Sequence, residues 1–355
     1  MRHMNGGQQP QNAYRGEVSA EFKSLAIARG SLKYFVTGLI LTIAQGGLQG
    51  APPLSGDLAQ QIIDIMSQSP GVQPGHRPLH AKGIVCQGTF SPSTDAASIS
   101  RSAHFSAETP VTVRFSDGGT DPMIPDSSPD AAPRGMAIRF MGERQTDIVA
   151  NSHNGFPVGT SEDFLGLVKA IAATVPSKPH PWPIEVFLGG HPAALKFVQD
   201  PKPTPVSFAT ESFYGNNAFF FVNKQGNKQA GRYQIIPVAG SQHLDDAGAK
   251  AKSPDFLRDE LKSRIAEGPV KFRLLLQLAE PGDRTNDASV VWPDDRKTLE
   301  LGVISITSVV PDNAAAESNL AFDPTRLVDG IQLSDDPLPA LRSRVYALSV
   351  ARRRK

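Results

Sequence analysis

The 355 residues contain a single cysteine, Cys86. One thiol closes no disulfide within a chain, and it cannot complete a cysteine-based zinc or iron–sulfur site. Cys86 follows the apolar pair Ile84-Val85 and reads as a small buried strand residue, not a nucleophile. An excess of charge is also missing: 36 Lys and Arg stand against 35 Asp and Glu. That balance excludes a general polyanion-binding surface, and no nucleic-acid partner is expected. Only the closing run Arg352-Arg353-Arg354-Lys355 departs from it. The body of the chain has no internal repeat and no low-complexity tract. With 39% apolar and 20% charged residues, what remains is a globular chain, long enough for one large domain or two ordinary ones.

Residues 1–16 are rich in Gln, Asn and Gly without an apolar period, which describes a disordered leader. An apolar run at residues 34–48 is preceded by Arg29 and Lys33 and exits through Ala44, Gly46, Gly47, Gly50 and Ala51. A basic flank, a short apolar stretch and a small-residue exit are the parts of a secretory signal. The run is shorter than the roughly 20 residues that a spanning helix needs. The expectation is therefore export to a periplasm, or anchoring to the inner membrane facing it, with residues 1–50 as leader and signal and residues 55–355 as the folded domain. An ordinary buried helix is the plainer alternative.

In the body, Leu58, Ile62, Ile63 and Met66 form a helical stripe. Val111, Val113 and Phe115 alternate with polar neighbours, as do Met136, Ile138 and Phe140, so both segments read as strands with one apolar face. Residues 117–134 between them form a turn-dense loop. Further strands are expected at 218–223, 231–238, 270–279 and 301–310, and helices at 164–173, 193–198, 255–267 and from 337 onward. Strands hold the centre and helices the ends, without βαβ alternation. The fold class is α+β, an antiparallel sheet or barrel with appended helices.

Three segments carry chemistry: His76-Arg77-Pro78-Leu79-His80-Ala81-Lys82-Gly83, Asp147-Ile148-Val149-Ala150-Asn151-Ser152, and Arg342-Ser343-Arg344-Val345-Tyr346 with Arg352 and Arg353 beyond. Singly each has a bland reading: a loop histidine, a turn asparagine, a surface pair on a helix. Together, and in this order, they resemble the catalase superfamily. The supporting matches are HAKG at 80–83, VRFS at 113–116, PRGMAIRF at 133–140, YGNNAF at 214–219 and FDPTRLVDGI at 322–331. The short length past Tyr346 and the export segment resemble the catalase-related peroxidases, the minimal members of that superfamily.

The resemblance implies a catalase core, an antiparallel β-barrel with appended helices, and haem b with its iron as cofactor. It implies His80 as the distal acid–base, Asn151 as its partner, Tyr346 as the axial iron ligand and Arg342 as that ligand's neighbour. Arg77, Arg114 and Arg353 fall where the family places haem-propionate arginines, Phe164 where an aromatic ring packs on the distal side, and Ser116 where a hydroxyl meets the distal histidine. The residue types suit the chemistry. An imidazole with an ordinary pKa near 6.5 exchanges protons at neutral pH. An amide donor orients a peroxide without competing for its proton. Phenolate is an axial ligand of catalase iron. Arg342 lies four residues before Tyr346, so on a helix the two share a face. Arginine grips carboxylates in two-pronged fashion, and on a strand Arg114 and Ser116 point to the same side.

Two departures bear on activity. Ser152-His153-Asn154 follow Asn151 where longer catalases continue Asn-Thr-Pro, and Leu79 precedes His80 where a smaller valine is common. Both are expected to weaken the half of the catalase cycle in which a second peroxide is oxidised. The expected function is a peroxidase reducing organic hydroperoxides with an external electron donor. The rivals are a true catalase, a haem isomerase rearranging hydroperoxides, and a non-enzymatic haem-binding protein. A non-haem metal held by His80 and His153 is disfavoured, because no carboxylate sits nearby at ligand spacing. The oligomeric state stays open.

Overall fold

The computed structural model describes residues 57–354. The leader, the apolar run at 34–48 and the export or anchoring expectation lie outside the described residues. No helix among the described residues is long and apolar enough to cross a membrane.

Eight antiparallel strands close into a barrel: β1 Gly83–Pro92, β2 Thr109–Ser116, β3 Gly135–Phe140, β4 Thr146–Asn151, β5 Phe213–Val222, β6 Lys228–Pro237, β7 Val270–Leu278 and β8 Thr298–Val309. Their order is β4-β3-β2-β1-β8-β7-β6-β5, and β4 meets β5 to complete the ring. A short ninth strand, β9 Ile331–Leu333, pairs with the other end of β5. Closure removes the free edges that an open sheet would expose. The alternation read from the sequence is the inside–outside pattern of this wall. Val113 and Phe115 enter a core with Ile138, Phe213 and Phe272, and the Phe115 ring stacks on Phe208 at 5.3 Å. Arg114 and Ser116 stand on the outer face.

Nine helices accompany the barrel among the described residues: α1 Leu58–Ser67, α2 Ala96–Ile99, α3 Ser161–Ala173, α4 Pro183–Gly190, α5 Pro192–Gln199, α6 Asp246–Lys250, α7 Phe256–Glu267, α8 Asn313–Asn319 and α9 Leu338–Arg353. Asp57 caps α1 by accepting from Gln60 N, and Thr160 caps α3 by accepting from Asp163 N. Ala59, Ile62 and Ile63 of α1 pack with Leu165 of α3 and with Leu338, Leu341 and Val345 of α9. These three helices make a second apolar cluster outside the barrel.

The structure departs from the sequence expectation in specific places. Strand β5 begins at Phe213, five residues before the expected 218, because Gly215-Asn216-Asn217 has turn composition yet sits in a bulged strand. Helix α3 starts at Ser161 instead of 164, since its first turn is polar and carries no apolar stripe. Helices α2, α4, α6 and α8 and strand β9 lie outside the expected elements; α8, with the sequence NAAAESN, buries no residue and so has no apolar period to read.

The FDPTR segment is tied to the barrel by one buried carboxylate. Asp147 on β4 receives Arg139 Nε at 2.9 Å and Nη2 at 3.0 Å, Arg326 Nη1 at 2.8 Å and Asp323 N at 2.8 Å. Its side chain is fully buried. Removing one member of a buried ionic set leaves the others uncompensated, at a cost of roughly 3–5 kcal/mol. Asp147→Ala is expected to lose about that much in urea unfolding, and a loss under about 1 kcal/mol would show that the Arg139 and Arg326 cations are already solvated.

Candidate active site

A single rung runs across five strands at one end of the barrel. Gly83 pairs with Ser116, Ser116 with Gly135, Gly135 with Asn151, and Asn151 with Tyr214. Ser116, Gly135 and Asn151 of this rung form one wall of a cavity of about 590 Å³. His80 lies three residues before β1 and completes the wall. Its Nδ1 is 3.1 Å from Ser116 Oγ, in a hydrogen bond whose direction follows the imidazole tautomer. His80 has a φ of +54°, the one left-handed non-glycine residue among those described. Such a conformation costs of order 1–3 kcal/mol and persists only where surroundings impose it. Here Arg114 Nη2 donates to the His80 carbonyl at 2.8 Å, and Ala81 N donates to Gly119 O at 3.1 Å. The following Lys82 is buried and donates to Ile124 O and Pro254 O, both at 2.8 Å, and to Asp126. The Ala-Lys-Gly after the histidine is thus an anchor for the turn. Gly135 leaves the room: a Cβ there would lie 2.6 Å from Ser116 Oγ and 3.0 Å from His80 Nδ1.

Asn151 accepts the backbone N–H of His153 at its Oδ1, 2.9 Å away. The side-chain amide nitrogen is left to serve the cavity that Asn151 lines. The loop beyond is held by Asn216, whose Oδ1 accepts from Gly155 N and whose Nδ2 donates to His153 O and Gly155 O. His153 itself turns away, its ring edge-on to Phe197 at 4.7 Å and its Nε2 3.5 Å from Asp200. No cluster of three or more potential metal ligands exists among the described residues.

The facing wall is α9. Arg342, Tyr346, Ser349 and Arg353 all line the cavity, and at about 100° per residue these positions fall on one stripe of a helix. Arg342 Nε donates to Tyr346 Oη at 3.0 Å, and its Nη1 donates to Asn217 Oδ1 at 2.7 Å. Asn217 in turn donates to Asp336 Oδ2 at 2.8 Å, while Asp336 Oδ1 accepts from Leu338 N at the first turn of α9. The tyrosine oxygen therefore meets a permanent cation whose other arm is tied to the barrel. Asn216, Asn217 and Asp336 were missed as site residues. The YGNNAF motif was the available signal for the two asparagines.

At one end of the cavity stand Arg77, Arg114 and Arg353. Arg114 is almost fully buried and Arg353 buried. Arg77 and Arg114 pair with Glu317 on α8, a residue in a polar stretch without an apolar period. The Nε of Arg353 is buried without a hydrogen-bond partner. Phe164 on α3 stacks against Phe156, and both rings line the cavity with Leu79. All nine residues singled out in the sequence thus border one space.

The electrostatics differ from the sequence expectation at one point. His80 does not keep an ordinary imidazole pKa: it is pushed down to about 3, first by burial and then by the positive charges of Arg114, Arg342 and Arg77. The imidazole is neutral throughout the neutral range. Cys86 is buried inside the barrel wall, and burial pushes its thiol up to about 12, so it is inert.

Residues 60–355 match the family model described as Catalase. The chain belongs to the catalase family. A protein named catalase-related peroxidase from Mycolicibacterium paratuberculosis is 35% identical over 304 residues, covering 84% of this chain and 95% of that one. Another of that name, from Synechococcus elongatus, is 32% identical over 94% of this chain and 96% of its own length. Among solved structures, a fungal catalase aligns over 87% of this chain with a TM-score of 0.70 at 22% identity, and catalase A from Saccharomyces cerevisiae with 0.69 at 22%. Those similarities establish the eight-stranded barrel with added helices. The chain spans 65% of the fungal catalase's length. The catalase family implies a haem cofactor, and the residues present fit one. The volume lies in the range of ligand sites, roughly 300–1,000 Å³. A phenol oxygen stands on one wall and a neutral imidazole with an amide on the other. Buried guanidiniums, one with an unused donor, wait at the end for carboxylates.

Three histidines, the buried His104 and the partly buried His80 and His153, are held below the ordinary value, to about 4, 3 and 4, each mainly by removal from water. Their folded pKa values lie below the unfolded ones, so the unfolded chain binds more protons as pH drops beneath about 6.5. Stability is then complete above that pH and is lost on acidification. Between pH 7 and 5 the His80 contribution is about 2 kcal/mol. Denaturant midpoints of the cofactor-free protein should fall over that interval, and His80→Gln should flatten the fall. Equal slopes for wild type and variant would mean that His80 titrates normally.

Proposed function

We propose that this chain is a haem b peroxidase that reduces organic hydroperoxides with an external electron donor. One observation carries the reading: His80, Ser116 and Asn151 on the barrel wall border the same cavity as Tyr346 and Arg342 on α9. The relatives named catalase-related peroxidase support an oxidoreductase acting on peroxide. When bound, haem supplies the redox-active iron at which a peroxide O–O bond is cleaved.

The chain's own residues do the rest. Tyr346 Oη is the oxygen that would ligate the iron, and Arg342 Nε keeps a donor on it. Arg77, Arg114 and Arg353 would hold the propionates through charge-assisted hydrogen bonds. His80 uses Nδ1 toward Ser116, which leaves Nε2 to take the peroxide proton and give it to the leaving oxygen. With its pKa pulled down, the imidazole is neutral before a peroxide arrives, so the Nε2 lone pair is open to the proton. The Asn151 amide nitrogen, freed by the bond from His153 N to Oδ1, orients the peroxide. Ile63, Met66, Ile124, Leu167, Val168 and Ile171 give the cavity an apolar lining that suits a porphyrin ring, and the preference for organic hydroperoxides rests on the exposed Leu79 beside His80. The location is proposed as periplasmic on the strength of the basic flank, apolar run and small-residue exit at residues 29–51.

Purified wild type is expected to turn over cumene hydroperoxide with a dye donor faster than it releases oxygen from hydrogen peroxide. Rapid oxygen release without donor oxidation would assign the chain to disproportionation. Tyr346→Phe should lose or strongly perturb the haem absorbance. His80→Ala should keep haem and slow peroxide cleavage by about 10²–10⁴-fold. A fully active His80→Ala variant would overturn the assignment of the proton carrier.

A further inference from the structure

The arginines at the carboxylate end of the cavity are held from behind. Glu317 accepts from Arg77 Nη1 at 2.5 Å and from Arg114 Nε at 2.8 Å. The Leu320 carbonyl, on the same turn of chain, accepts from Arg77 Nη2 at 2.7 Å and from Arg353 Nη2 at 3.2 Å. All three guanidiniums line the cavity, whereas Glu317 does not. Its carboxylate lies over β1, where a Cβ on Gly83 would come within 2.8 Å of Oε1. Glu317 therefore does not occupy the seat of a propionate; it stands in a layer outside the arginines.

The charges then count simply. Three guanidiniums against one carboxylate leave a surplus of two positive charges. Of the neighbouring charges, Arg352 is paired with Asp64, and Arg354, exposed and donating to Asn319 O, repels Arg353 from a position screened by solvent. A haem carries two propionates. We propose that Glu317 trims the arginine cluster to the charge of a dianion, holding Arg77 and Arg114 in place while the cofactor is absent and leaving their combined surplus matched to two carboxylates. This rests on the haem reading above.

Like charges brought together away from water oppose one another. Burial and the Arg114 cation pull Arg77 down to about 9, and burial and the same cation pull Arg353 to about 10, while Glu317 acts against both falls. Without Glu317 the empty cluster would hold three uncompensated cations. Once haem is bound, its propionates supply the missing anions. The glutamate thus matters more to the cofactor-free protein than to the loaded one. By linkage, its loss must tighten the binding of a dianionic ligand relative to a neutral one of the same shape.

The test compares cofactor-free and haem-loaded protein, as wild type and as Glu317→Gln, by thermal melting. Soret-band titrations with haem and with haem dimethyl ester, which lacks the carboxylates, complete it. The cofactor-free midpoint of Glu317→Gln is expected to fall by about 3 °C or more, and the loaded midpoint by less than half as much. The ratio of haem affinity to ester affinity should rise about 3–10-fold, the equivalent of one modest electrostatic contact. The double variant Arg77→Gln, Glu317→Gln restores the surplus of two and should bring the ratio back toward wild type. Equal falls in both states, or a ratio that is unchanged or lower, would make Glu317 a purely structural residue and overturn the proposal. If the single variant does not fold without cofactor, folding of the double variant supports the charge argument and its equal failure overturns it. A wild type that develops no haem band at all overturns the underlying haem reading as well.

Discussion

Where β4 meets β5 the barrel closes through the pairing of Asn151 with Tyr214, and the geometry of the site follows from that closure. In a closed antiparallel barrel the register of each strand is constrained by both neighbours, so no strand can slip alone. Ser116, Gly135 and Asn151 are consequently fixed on one rung, with spacing set by the hydrogen-bond ladder and not by side-chain packing. Gly135 supplies an opening in that rung, and His80 fits into it from the preceding turn. A reactive group placed on such a wall needs little local support. The support that it has, a left-handed backbone held by Arg114, aims the ring.

The two walls place different demands on charge. The barrel wall keeps an imidazole neutral by burying it among cations. The helical wall brings a cation to the phenol oxygen of Tyr346, through Arg342. Arginine serves both ends, at His80 by repulsion and at Tyr346 by donation. That use of arginine requires each guanidinium to be tied down, and each is: Arg342 by Asn217, Arg114 and Arg77 by Glu317, and Arg353 by Ser349 and Leu320.

Much of this was legible in the sequence, and unevenly so. The period-two segments of β2 and β3 announced a wall with one apolar side, because burial on a strand alternates strictly. The i, i+4 spacing of Arg342 and Tyr346 gave their contact directly. Barrel closure was not legible, since strand order depends on long-range pairing that leaves no local pattern. The asparagines of YGNNAF were visible as a motif, but their division of labour was not: Asn216 staples the loop after Asn151, and Asn217 steers Arg342. Glu317 was hidden in a short polar helix without an apolar stripe. The pKa of His80 depends first on burial and then on arginines at 114, 342 and 77, a sum that no single stretch of chain displays.

The position of α9 has a consequence for how the chamber is held shut. The barrel wall of the cavity carries His80, Ser116, Asn151 and Asn216, while the opposite wall begins near Leu338. Leu338, Leu341 and Val345 of α9 are seated on Ala59, Ile62 and Ile63 of α1 and on Leu165 of α3. Packing of this kind can yield locally while a closed ladder of strands stays whole. A change in that apolar seat would therefore loosen the chamber and leave the barrel intact.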